Sequence, residues 1–258
     1  MDLYFINLSR RPDRRDAMEQ QARRLGLALT RLEAVDARNA DPGELKGWFK
    51  ESGPLGVIPK GDQCCFLSHR LAWIRLAESG APYAAVLEDD VQLSARAPLV
   101  LKSADWIPQG IDLIKLEHYG PTSQSVLLSD FMDVGNGFRL GRMRSRHTGG
   151  AAYILSRRAA EALLQTSRFD LPVDHLLFNP NNSKLFAQLR PWQLLPTVAR
   201  QEQDNKSDIE GSRMASRKFS LAYAKRELVR FGYDLKLLPL QLALLAAGKA
   251  KFTRVAGA

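Results

Sequence analysis

Apolar positions along the chain gather into short β-rich runs separated by segments of helical composition. Leu3–Leu8 is the first run and predicts a strand. Pro12 then opens a helical segment reaching Leu25, and proline in a first turn suits a helix start. Arg31–Val35 predicts a second strand, ending at Asp36. Residues 37–61 are rich in proline and glycine and predict a long loop, a feature often tied to function in compact domains. Asp62–Glu78 predicts a helix closed by Gly80, with Phe66, Leu67, Leu71, Ile74 and Leu76 as its core face. Ala84–Glu88, Asp112–Leu116 and Ala151–Leu155 predict three further strands, and Ser156 is placed to cap a helix over 157–164. Strands alternating with helices predict an α/β fold with a mainly parallel central sheet.

Composition changes this picture little, and charge changes it at one end. A chain of 258 residues with 45% hydrophobic and 25% charged residues reads as one large globular domain. The only cysteines, Cys64 and Cys65, are adjacent, so they form no disulfide framework and a reducing, cytoplasmic setting is expected. No window is apolar enough to span a bilayer, and no signal peptide is evident. The net charge of +9 is uneven: from Arg213 onward ten Lys/Arg face only Glu227 and Asp234. The chain therefore divides into a nearly neutral body, 1–212, and a basic tail, 213–258. In the tail Leu221, Ala224, Leu228, Phe231, Leu235, Leu238, Leu242 and Leu245 recur at helical spacing, interrupted by Gly232 and Pro239. Such a basic amphipathic helix either lies on an anionic membrane surface or packs on the body or on another copy of the chain. Nucleic acid is not expected as a partner, because the body lacks basic patches interleaved with aromatics.

Candidate chemistry centres on Glu88, Asp89 and Asp90, three carboxylates at the carboxyl end of an apolar strand. Open α/β sheets bind ligands in that crevice. Adjacent carboxylates repel, and a hard divalent cation such as Mn²⁺ or Mg²⁺ relieves the repulsion. A cation there could neutralise a departing diphosphate; a solvated acidic turn is the plainer alternative.

Four segments in order, Asn7–Arg15, Gly61–Arg70, Val86–Val91 and His147–Ser156, together resemble glycosyltransferase family 25, the lipooligosaccharide galactosyltransferases. The resemblance runs from about Leu3 to Pro196. It implies a GT-A type, Rossmann-like nucleotide-sugar-binding domain, a donor such as UDP-galactose, and inverting transfer to a glycan, with UDP-glucose or UDP-GlcNAc as alternative donors. A lipid-linked acceptor at the inner face of the cytoplasmic membrane would suit the basic tail. A non-catalytic sugar-binding protein is the competing class. One departure bears on the donor sugar: where the family has Gly-Glu-x-Gly-Cys, this chain has Gly61-Asp62-Gln63-Cys64-Cys65.

The resemblance also distributes roles. Asn7 and Asp36, at strand ends, line the nucleotide pocket or else cap turns. Ser68 and His69 stand near the donor, or serve the helix that carries them. Glu88 or Asp89 meets the donor ribose, and Asp90, with Glu88, holds the metal. His147 is the candidate further ligand, with a plain loop residue as its alternative. From their own chemistry, Gly149 and Gly150 let backbone approach a ligand, and Arg144 or Arg146 reaches the diphosphate, with ordinary loop charge as the alternative. Asp174, in a Pro-Val-Asp segment, is the expected catalytic base, with Asp89 second; a helix N-cap is the rival reading of Asp174.

Overall fold

The structure, a computed structural model, describes residues 1–118, 124–147, 149–201 and 221–257, over 221–234 as backbone. Its centre is a nine-stranded sheet. Three parallel strands form one end: β1 (Asp2–Asn7) lies between β2 (Thr30–Glu33) and β3 (Tyr83–Glu88). Next to β3 runs β9 (Ala152–Ser156), antiparallel, and then β5 (Leu113–Lys115). Beyond them come β10 (Trp192–Leu195), β8 (Phe138–Met143) and β7 (Gln124–Gly135), and β12 (Ala250–Val255) closes the far edge. A small second sheet joins β4 (Val91–Leu93), β11 (Ala199–Gln201) and β6 (Glu117–His118).

The sheet is α/β as expected but less parallel than the strand–helix alternation predicts. Only the β1–β2, β1–β3 and β5–β10 pairings of the large sheet are parallel among the described residues. β9 reverses direction because it enters from the long excursion through the β7–β8 hairpin rather than from a crossover helix.

The layers follow from side-chain alternation in the strands. Tyr4, Ile6, Ala84, Val86, Tyr153 and Leu155 face one core, and Leu3, Phe5, Ala85, Leu87, Ala152 and Ile154 face the other. Helices α3 (Lys60–Ser79) and α5 (Arg157–Leu164) cover the first with Phe66, Trp73, Leu76 and Leu163. Helix α1 (Pro12–Leu25) covers the second with Met18 and Ala22. Local signals hold where they were read. Pro12 opens α1, Gly80 ends α3 at φ 81°, and the Ser156 hydroxyl accepts from the Ala159 N–H to cap α5. Leu71 departs from its expected core place: it is exposed, and Ala72 and Trp73 are buried instead. The predicted loop 37–61 contains α2 (Pro42–Trp48), capped by the Asp41 carboxylate on the Glu44 N–H. Short helices α4 (Pro98–Leu101), α6 (Val173–Phe178) and α7 (Phe186–Leu189) complete the body.

The tail is helical over α8 (Leu221–Ala246), with Pro239 inside it. It does not stay helical to its end, because Ala250–Val255 pairs antiparallel with β7 as β12. Leu235, Leu238 and Leu242 of the expected apolar seam are exposed. The expected boundary at 212/213 and the basic residues Arg213, Arg217 and Lys218 lie outside the described residues. No helix among the described residues is long and apolar enough to cross a membrane.

Candidate active site

Strand direction assembles the site. β1, β2 and β3 run parallel, so their carboxyl ends share one edge of the sheet. That edge receives Asn7, the turn at Asp36, and Glu88–Asp90. β9 runs the other way, so its beginning, after Gly149 and Gly150, meets the end of β3, and Glu88 N–H donates to Ala151 O at 2.8 Å.

The three carboxylates have different surroundings. Asp89 accepts from the Asn7 amide at 2.7 Å and from the Arg14 guanidinium at 3.0 Å. Burial pushes its carboxyl up in pKa, against the pull of Asn7 and Arg14, and the net change is a rise. Asp90 accepts from Gln201 Nε2 at 3.2 Å and lies 3.7 Å from Arg14. Burial first, and the neighbouring Glu88 charge second, push it up to about 7. Glu88 meets His69 Nε2 at 3.2 Å and Cys65 Sγ at 4.0 Å. The triplet therefore concentrates partly desolvated negative charge at the end of β3, which the Arg14 guanidinium partly balances.

The remaining expected residues divide into those at this edge and those serving it from behind. Asn7 is buried, and its amide is fully engaged: Nδ2 donates to Asp89 and to Arg11 O, and Oδ1 accepts from Arg31. It orients Asp89. Ser68 is buried on α3, donates to Cys64 O and accepts from Val35 N–H at 2.9 Å, which fixes the chain just before Asp36. Asp36 pairs with Arg10 at 2.9 Å; burial opposes its charge, but the Arg38 N–H and Arg10 outweigh it and lower its pKa. His69 is wholly buried, with Nδ1 at 3.0 Å from the Tyr153 hydroxyl.

Gly149 has φ 89°, a left-handed conformation that glycine adopts without strain. A methyl group on Gly150 would stand 3.4 Å from the Asp174 Cβ, so Asp174 lies against the glycine turn that abuts Glu88. Asp174 is in the first turn of α6, whose N-cap is Pro172, so it does not cap that helix. Arg146 is exposed just upstream of the turn. His147 is buried, with Nδ1 at 2.7 Å from Gln193 Oε1, and burial pushes its pKa down to about 3.

Residues absent from the sequence expectations also surround the triplet, Gln201 at Asp90 among them. Arg14 lies inside the Asn7–Arg15 segment, but only α1 packing shows that it turns toward Asp89. Lys115 and Glu117 form a buried ion pair at 2.8 Å beneath the glycine turn. Lys115 Nζ also donates to Gly149 O, and Glu117 accepts from Ala151 N–H at 2.7 Å. Together they clamp the turn that adjoins both Glu88 and Asp174. A lysine and a glutamate two positions apart, ending β5 and starting β6, carry no signal of this contact in the sequence.

Comparison with known proteins gives a consistent assignment. Lacto-N-neotetraose biosynthesis glycosyltransferase LgtB of Neisseria gonorrhoeae is 33% identical over 156 residues, 55% of this chain and 53% of that protein. Lipooligosaccharide biosynthesis protein lic2B of Haemophilus influenzae is 26% identical over 155 residues, 56% of this chain and 55% of that protein. Procollagen galactosyltransferase 2 of Mus musculus is 30% identical over 98 residues, 35% of this chain and 16% of that protein. The matched region thus spans about half the length of the two bacterial relatives. The family model described as glycosyltransferase family 25 (LPS biosynthesis protein) matches residues 1–177, from β1 through the acidic triplet and the glycine turn into α6. On that match, which takes in Asn7, Glu88–Asp90, Gly149–Gly150 and Asp174, the chain belongs to glycosyltransferase family 25.

Proposed function

We propose that the chain is an inverting, metal-dependent hexosyltransferase that moves galactose from UDP-galactose to a glycan of the lipopolysaccharide class. The observation that carries this reading is the convergence of Glu88, Asp89 and Asp90 with Arg14 and Gln201 at the carboxyl edge of the parallel strands. Names of relatives, which include lipooligosaccharide biosynthesis proteins and a procollagen galactosyltransferase, support the substrate class.

The donor set fits a hard divalent cation. Its free ligands are carboxylate oxygens, they repel one another, and burial raises the cost of leaving them unbalanced. Asp90 and Glu88 would hold Mn²⁺ or Mg²⁺, which when bound supplies charge neutralisation for the leaving diphosphate. Asp89, held by Asn7 and Arg14, presents its carboxylate toward the donor ribose. Gly149, in its left-handed conformation, lets the backbone turn beside the end of β3 near the donor, and Arg146 meets the donor phosphates. Asp174 takes the proton of the acceptor hydroxyl from the side opposite the leaving group, as an inverting displacement requires. A carboxylate suffices, since the hydroxyl becomes acidic only as the new bond forms.

The exposed leucines of α8, in a tail of net positive charge, fit an anionic membrane surface and a lipid-linked acceptor. The test of the catalytic reading is release of UDP from a panel of UDP-sugars, with and without Mn²⁺ and glycan acceptors. Mn²⁺-dependent release that is fastest with UDP-galactose is expected. Preference for UDP-glucose or UDP-GlcNAc would move the donor assignment, and metal-independent release would remove the metal. Asp174→Asn should lower transfer by about 10²–10⁴-fold while donor binding persists; near-normal turnover would strip Asp174 of its role.

A further inference from the structure

Among the described residues one set of side chains brings thiol, imidazole and carboxylate ligand atoms together: Cys65 Sγ, His69 Nε2 and a Glu88 oxygen all lie within 4.8 Å of one another. Cys65 and His69 are four apart on α3, so both project from one face of that helix, toward the end of β3. The individual separations are 3.2 Å from His69 Nε2 to Glu88 Oε1 and 4.0 Å from Cys65 Sγ to the same oxygen. Tetrahedral zinc with ordinary bond lengths would set such atoms about 3.4–3.6 Å apart. The two contacts to Glu88 lie within a few tenths of an ångström of that geometry, and Cys65 Sγ and His69 Nε2 would close to it from at most 4.8 Å by rotamer adjustment.

We propose that Cys65, His69 and Glu88 form a three-ligand zinc site, distinct in chemistry from the oxygen-lined cation site at Asp90. Thiolate and imidazole select Zn²⁺ over Mg²⁺ or Mn²⁺. The fourth position lies on the solvent side, because Cys65 and Glu88 are half-buried while His69 is wholly buried. The surroundings orient the ligands. His69 Nδ1 faces the Tyr153 hydroxyl, which also accepts from Trp73 Nε1 at 2.9 Å. In the metal-free chain Nε2 faces the acceptor-only Glu88 carboxylate and carries the ring proton, so metal binding requires that proton to move to Nδ1, where the hydroxyl's second lone pair can accept it. On binding, the ring proton resides on Nδ1, the Cys65 thiol proton is released to solvent, and Zn²⁺ replaces the hydrogen bond between His69 and Glu88.

The two sites share Glu88. On the reading given under Proposed function, zinc here draws Glu88 away from Asp90 and antagonises the catalytic cation. The zinc site itself stands without that consequence, so its test uses metal alone, with no nucleotide.

The metal-free 258-residue chain is titrated with Co²⁺, whose thiolate charge-transfer absorption reports sulfur ligation, and then with Zn²⁺ against a chromophoric chelator. One equivalent of Co²⁺ should give the thiolate band, and Zn²⁺ should displace it. Cys65→Ser should abolish the band and weaken Zn²⁺ binding by more than about 100-fold, beyond the loss typical of outer partners. Cys64→Ser should keep the band, since Cys64 is buried and burial pushes its thiol up in pKa. Asp90→Asn should keep it as well. Absence of the band in folded wild-type chain, or its persistence in Cys65→Ser, would overturn the site. Because Cys65 is half-buried, its serine variant tests the proposal even where His69→Gln fails to fold.

Discussion

Single residues in this chain divide between those that meet the recess and those that hold it open. Lys115 and Glu117 belong to the second kind, and their energetic role is testable. Both side chains are fully buried. Burial pushes the Glu117 carboxyl up in pKa, and Lys115 is the main opposing influence. Lys115→Met leaves Glu117 buried without its partner and should cost about 3–5 kcal/mol in denaturant unfolding. Adding Glu117→Gln should recover much of that loss, whereas additive destabilisation would contradict the clamp. His147 gives a pH signature. Its imidazole has an ordinary pKa of 6.5 unfolded and about 3 folded. Between those values the unfolded chain binds the extra proton, so stability falls as pH drops below 6.5 and is unaffected above it. The slope approaches about 1.4 kcal/mol per pH unit, and His147→Gln should remove it from denaturant midpoints compared at about pH 7 and about pH 5. The acidic triplet was legible because three carboxylates follow an apolar run without a break. Arg14, Gln201 and the Lys115–Glu117 clamp were not, since each acts through contacts between elements that local pattern does not encode. His147 is expected as a further ligand because imidazole can complete a Mn²⁺ site; local pattern does not show that its ring is buried with Nδ1 on Gln193.

Elements were legible in proportion to their length and regularity. β1, β3, β9, α3 and α5 follow apolar runs, caps and closing glycines closely. α2 hid among the prolines and glycines of 37–61, although Asp41 and Glu44 carry a capping spacing. The β7–β8 hairpin escaped because bulges break its alternation between Ser129 and Met132 and again near Gly135. β12 escaped because its exposed positions, Lys251, Phe252 and Arg254, do not alternate with buried ones; its two cations sit at the edge of a sheet, where they guard against stray pairing. Pro239 did not end α8 as its position suggested it could. Ending the chain near Gly211 removes α8 and β12 together. That variant should lose co-sedimentation with anionic vesicles. It should also melt about 5–10 °C lower, because β7 becomes an unprotected edge and about 2–4 °C is lost per kcal/mol at this size. Retained vesicle binding would remove the tail's membrane role.

At the scale of the molecule, one topological fact positions the chemistry. Parallel β1, β2 and β3 end at the edge where antiparallel β9 begins, so strand-end carboxylates and a glycine turn meet across neighbouring strands. α6 brings Asp174 against that turn, and β11 brings Gln201 to Asp90 from the second sheet. The account rests on Asp90 carrying a divalent cation for a nucleotide diphosphate. Calorimetric titration of UDP into wild-type and Asp90→Asn chain, each with and without Mn²⁺, tests this most directly. Mn²⁺ is expected to strengthen UDP binding in the wild type, and that strengthening is expected to vanish in Asp90→Asn, with its fold unchanged by circular dichroism. Equal Mn²⁺-dependent binding in both chains would contradict it.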